Sequence, residues 1–209
     1  MSNFSAPFNT VVAHFENAGM NFHTDGDQKL VFFTMCGDAA VYTCRLRVTH
    51  EDDVLQIDLA IPVLARQPKV REQVVELVAR ANRGLPIGRF DIDMSDGQVT
   101  FHIGHAIASA GLDEDAVGRL FSTALATVDR YFPALMRLMY GGHTPEDAVY
   151  LSELETHSEK VADAKSSAPA KKPARRPRKK NSNPTKSADQ PRLIDPSKGE
   201  GTDRPPKDR

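Results

Sequence analysis

Residues 79–104 read ARANRGLPIGRFDIDMSDGQVTFHIG, and after an acidic helix start the chain continues at 123–142 as TALATVDRYFPALMRLMYGG. This is the signature of one β-hairpin set between two helices. Asp96-Gly97 suits a two-residue turn, in which both central residues need positive φ. That turn predicts the cross-strand pairs Met94 with Val99, Ile92 with Phe101 and Phe90 with Ile103, all apolar and all on one face. A slip by one residue would turn the whole set towards water, so the pattern specifies its own face.

The flanking segments have helical period. Before the hairpin, Val70, Val74, Leu77, Val78 and Ala81 follow Pro68 at helical spacing and Gly84 ends the run. After it, Asp113-Glu114-Asp115 place acids at the positive end of a helix dipole. That helix carries Val117, Leu120, Phe121, Ala124, Leu125, Val128, Phe132 and Leu135, with Pro133 as a kink position and Gly141-Gly142 as the stop. A short helix is expected from Pro145 to about Leu154.

Towards the N-terminus a first helix is predicted from about Pro7 to Ala18, with Ser5 as cap and Gly19 as stop. Three runs of strand character follow, Leu30–Cys36, Ala40–Thr49 and Val54–Val63. In the second, Tyr42, Cys44, Leu46 and Val48 oppose Arg45 and Arg47. In the third, Leu55, Ile57 and Leu59 oppose Gln56 and Asp58. The expected fold is therefore α+β: an antiparallel sheet with one wet face and helices packed on the other, in the order α-β-β-β-α-β-β-α.

Charge divides the chain. Residues 1–159 hold 12 Lys+Arg against 22 Asp+Glu, a net of −10, while residues 160–209 hold 15 against 6, a net of +9. The expected organisation is an α+β domain over 1–159 and a disordered basic tail over 160–209, whose Lys, Pro, Ala, Ser and Arg residues bury too little surface to offset the entropy of ordering. Within the tail, Lys171, Lys172, Arg175, Arg176, Arg178, Lys179 and Lys180 form a polyanion-binding run. Without aromatic residues for base stacking, contact with nucleic acid there would be non-specific. No leader-like or membrane-spanning stretch is apparent, and Cys36 and Cys44 are too few for a disulfide framework, so a cytoplasmic protein is expected, with no membrane contact.

Reactive motifs are weak. Asp91, Asp93, Asp96 and Gly97 have the wrong spacing for a calcium loop. His102 and His105 fall on opposite faces of a strand, which separates them as joint metal ligands. Phosphate-binding loops, dinucleotide fingerprints and serine-nucleophile elbows are absent from the glycine segments. The expectation is a protein without enzymatic activity, cofactor or metal. In the predicted register His102 lies across from Asp91, an ordinary surface charge pair.

Gly19, Phe22, Asn82, Leu85, Pro86, Gly88, Phe90, Asp96-Gly97, Asp129, Tyr131, Pro133, Leu135, Tyr140, Gly141 and Gly142 together resemble one family. It is the YbjN-like group of bacterial sensory transduction regulators, whose fold is similar to that of type III secretion chaperones. The resemblance spans about Phe8 to Val149 and implies a bacterial, non-catalytic chaperone-like or adaptor domain that holds a partner polypeptide on an exposed sheet and helix surface. It also implies homodimer formation, since chaperones of this shape are commonly dimers. The candidate protein-binding residues are Arg89, Asp91 and His102 on the wet face of the hairpin, with Tyr131 and Tyr140, which are amphipathic, on the last long helix. The alternative is a nucleic-acid-associated protein in which the basic tail is the working part and the head a dimerising scaffold.

Overall fold

The computed structural model describes residues 5–49 and 51–166, with side chains through Glu155. Its elements are α1 (Ala6–Asn17), β1 (His23–Asp25), β2 (Leu30–Cys36), β3 (Val41–Val48), β4 (Val54–Leu64), α2 (Pro68–Arg83), β5 (Arg89–Ile92), β6 (Gln98–Ala106), α3 (Glu114–Tyr140) and α4 (Pro145–Ser166). The fold is α+β, with a single antiparallel sheet ordered β1-β2-β3-β4-β6-β5. Two elements exceed the expectation. Strand β1 adds a sixth, three-residue strand whose His-Thr-Asp sequence carries no apolar alternation, and α4 continues to Ser166.

Every second residue of β2, β3, β4 and β6 is buried beneath the helices. Phe15 of α1, Phe33 of β2 and Phe121 of α3 meet with ring centroids 4.9 to 5.5 Å apart, within the range favoured for aromatic pairs. At the other end of the sheet Phe90 lies 4.8 Å from Phe101 and 5.5 Å from Tyr131.

The helix ends follow the sequence closely, with one exchange of partner. The Asp113 side chain caps α3 by accepting from the Ala116 amide at 2.6 Å. Ser5 occupies the N-cap of α1, but its hydroxyl donates to Asp52 at 2.8 Å instead of capping the helix. Asp52 also pairs with Lys29 Nζ at 2.8 Å. These contacts tie the start of α1 to the turn that joins β3 to β4.

The hairpin register differs from the expectation by two residues. Phe90 faces Phe101 and Ile92 faces Val99. The side chains keep their face because the shift is even, but the connection is longer than two residues. Asp93 N–H donates to Gln98 O at 2.9 Å, and Gly97 N–H donates to Asp93 O at 2.8 Å. The Asp93 carboxylate accepts from both the amide and the hydroxyl of Ser95, and Asp96 accepts from the Gln98 amide. Such local bonds are the aspartate alternative to a tight turn. Met94, expected inside, is 56% exposed.

Tertiary docking stabilises the longer loop. Ala65 N–H donates to Gly97 O at 2.9 Å, and Arg71 donates to the carbonyls of Ala65, Arg66 and Met94. Gly97 has φ +82°, and a Cβ there would collide with the Ala65 backbone, so both conformation and space demand glycine.

Candidate interaction face

The uncovered side of the sheet carries the polar residues of each strand. Strand pairing places Phe32, Arg45, Asp58, His102 and Arg89 in one row running across β2, β3, β4, β6 and β5. The next row is Thr34, Thr43, Ala60, Thr100 and Asp91. A line of small side chains therefore runs beside a line of alternating charge. Together with the hairpin loop they border an open depression of ≈ 530 Å³, into which Asp58, Asp91, Asp93, Asp96, Arg45 and His102 contribute charge.

His102 is the pivot of the charged row. Its Nδ1 lies 2.7 Å from Asp58 Oδ1, and its Nε2 lies 3.6 Å from Asp91 Oδ2. Asp91 also accepts from Arg89 Nε at 3.0 Å. Asp93 is held below the ordinary carboxylate range mainly by its bonds from Ser95. A histidine oriented by an aspartate resembles half of a catalytic relay. Here the second ring nitrogen faces another carboxylate rather than a hydroxyl or thiol, so the cluster is built to hold charge in place.

Three of the five expected protein-binding residues thus come together: Arg89, Asp91 and His102. In strand pairing His102 lies opposite Arg89 instead of Asp91, because of the register change. The other two lie elsewhere. Tyr131 is 1% exposed and donates its hydroxyl to Glu153 at 2.8 Å, and burial, aided by Glu153, pushes it up to about 12. Its amphipathic character is used in the core and not at a surface. Tyr140 is 75% exposed at the end of α3.

Sequence reasoning set Asp58 on the wet face but did not join it to His102. The two are neighbours only because β4 pairs with β6 across the intervening α2 and β5, and no local spacing signals that contact. Phe32, 39% exposed and stacked on His23 with centroids 5.2 Å apart, was also missed. The basic run Lys171, Lys172, Arg175, Arg176, Arg178, Lys179 and Lys180 lies outside the described residues. Cys44 is buried, which pushes its thiol up to about 12, and Cys36 is exposed. Among the described residues no three His, Cys, Asp or Glu side chains are grouped to hold a metal ion, and no helix is long and apolar enough to cross a membrane.

Other residues of the quoted pattern have structural tasks. The Asn82 side chain accepts from Phe90 N–H at 2.7 Å and donates to Phe90 O at 2.9 Å, copying a neighbouring strand along the outer edge of β5. The Asp129 carboxylate accepts from the amides of Asp38 and Ala39, each at 3.0 Å, and from the Tyr42 hydroxyl at 2.8 Å. Gly88, at φ +74°, lies where a Cβ would strike Phe101 and the His102 carbonyl.

The YbjN family model, described as "Putative bacterial sensory transduction regulator", matches residues 7–137. The crystal structure of YbjN from E. coli, described as "a putative transcription regulator", is similar with a TM-score of 0.46 and 10% sequence identity, over 58% of this chain and 84% of that one. No curated protein matches the sequence.

Proposed function

This chain belongs to the YbjN family, and on that premise we propose a non-catalytic regulatory domain that acts by holding a partner polypeptide on the open face of its sheet, as chaperones and adaptors do. One observation carries the reading. The row from Arg45 through Asp58 and His102 to Arg89 is solvent-facing, fixed by strand pairing and flanked by small side chains. Cross-strand order sets the spacing of its charges, so the face offers a pre-organised pattern that an extended or helical segment of complementary charge can meet with little ordering cost. The family's description as a regulator agrees with a binding role. A cytoplasmic location accompanies this reading, and dimer formation is checked by mass in solution.

A second reading rests on the charge split. Seven cations lie between Lys171 and Lys180, in a segment of net charge +9 attached to a head of −10. In that reading the basic run contacts nucleic acid or another polyanion without sequence preference, and its affinity falls steeply with salt.

One set of captures separates the two. Proteins retained by the full chain should persist after nuclease treatment and after removal of residues 160–209. They should be lost on Thr100→Arg, which fills the depression while far-ultraviolet circular dichroism stays unchanged. Loss of all association on nuclease treatment or tail removal, with Thr100→Arg harmless, would establish the second reading.

A further inference from the structure

Helix α4 is held differently from the other helices. Its buried described residues are Pro145, Ala148, Val149 and Ser152, so small side chains make the contact. Its larger apolar residues Tyr150 and Leu154 are instead 62% and 48% exposed. The remaining links are polar. Arg137 donates to Ser152 Oγ at 2.9 Å and to Glu155 at 2.6 Å, Tyr131 donates to Glu153 at 2.8 Å, and Arg80 lies 3.1 Å from Glu146. Partly exposed ion pairs add little and are screened by salt. A helix with so little apolar burial opens at a fraction of the cost of global unfolding.

The surface beneath α4 is of another kind. Tyr131, Ala134 and Leu138 form an apolar stripe along α3 at helical spacing, and all three are buried. Gly84, at the end of α2, leaves room for Glu153. The joint between α3 and α4 is Gly141-Gly142, with Gly142 at φ +70°. The family match ends at residue 137, before α4 begins. The groove between α2 and α3 therefore belongs mainly to the matched region, and its occupant does not.

We propose that this groove is a docking site for a helix supplied by a partner, and that α4 fills it in cis as a releasable strap. The occupant's chemistry can be read from α4 itself. It is an α-helix with small residues where α4 has Ala148, Val149 and Ser152, and carboxylates where α4 has Glu153 and Glu155, to meet Tyr131 and Arg137. A partner helix of that pattern replaces α4 contact for contact and leaves Tyr150 and Leu154 free. The site is separate from the open sheet face and stands or falls independently of it.

The test uses the full chain and a fluorescent peptide of residues 143–166 added in trans. By hydrogen exchange, α4 amides should exchange at least about tenfold faster than the central amides of α3, and faster still when salt is raised. Because the resident strap lowers apparent affinity in proportion to the closed fraction, Val149→Arg in the chain should tighten peptide binding by about tenfold or more. The chain carrying Arg137→Glu should reject the native peptide and accept one carrying Glu155→Lys, a rescue that does not depend on a damaged core. Exchange of α4 only at the global unfolding rate would overturn the proposal. So would equal peptide binding by the native, Val149→Arg and Arg137→Glu chains.

Discussion

On one side of the sheet lie Cys44, Ile57, Leu59, Phe101 and Ile103, sealed beneath helices. One residue away along the same strands lie Arg45, Asp58, Thr100 and His102, in contact with water. The two faces share backbone, hydrogen bonds and twist, and differ only in what covers them. Volume and shape constrain the covered face, because close-packed interiors respond to single methylene groups. The open face is constrained only by charge and register, which leaves it free to carry recognition. Phe101 and Thr100 are adjacent and test this directly. Phe101→Ala should cost about 3–5 kcal/mol, while Thr100→Ala should stay within about 0.5 kcal/mol. Denaturant midpoints read at constant slope measure both, and equal losses would break the contrast.

The sheet's two edges sharpen the comparison. At β5 the exposed backbone of Phe90 is satisfied by Asn82, whereas β1 is kept to three residues, and both are ways of discouraging a further strand from adding on. Asn82→Ala leaves one donor and one acceptor beside a core residue, so a loss of about 2 kcal/mol is expected. Asn82→Asp keeps the acceptor and removes the donor, and should fall between the native chain and Asn82→Ala in thermal unfolding. If both variants unfold with the native chain, the bonds to Phe90 contribute nothing.

How much of this was legible depends on which face is considered. The alternation of Phe90, Ile92, Val99 and Phe101 announces the covered face, because burial at every second residue is a local property of a strand. The helix limits at Gly84, Asp113 and Gly141 are equally local. Turn length was not legible, since Asp93, Ser95 and Asp96 stabilise a longer loop and Ala65 and Arg71, distant in sequence, hold it. Tyr131 could not be placed, because an amphipathic ring suits a core with a buried acceptor as well as a surface. Asn82 and Asp129 gave no sign of their tasks, as each bonds to backbone of another element. The charged row needed strand order, which arises only when β6 returns beside β4.

A smaller effect concerns Asp52, at the turn that links β3 to β4. Burial raises its carboxyl, but the bonds from Lys29 and Ser5 outweigh this and hold it below the ordinary range. A carboxyl depressed in the folded state adds stability that is present above its unfolded pKa and disappears as pH falls through the folded one. Asp52→Asn keeps a residue that tolerates the observed φ of +59° while removing the charge. The variant should therefore be less stable than the native chain at neutral pH and converge with it in acid. A constant gap across that range would show that the charge is not the cause.

The smallest expected stability effect lies at the centre of the open face, and it asks the most of the comparison. Asp58 and His102 are 2.7 Å apart, each about a third exposed, so water and salt compete for the pair. A double-mutant cycle with Asp58→Asn and His102→Gln should return a coupling of about 1 kcal/mol or less. If this face serves recognition, the same substitutions should weaken partner capture far more than they weaken folding, because a bound segment excludes the water that screens the charges. A large coupling in stability with no change in capture would reverse the assignment. The row would then brace the sheet, and recognition would have to be sought on the helical side.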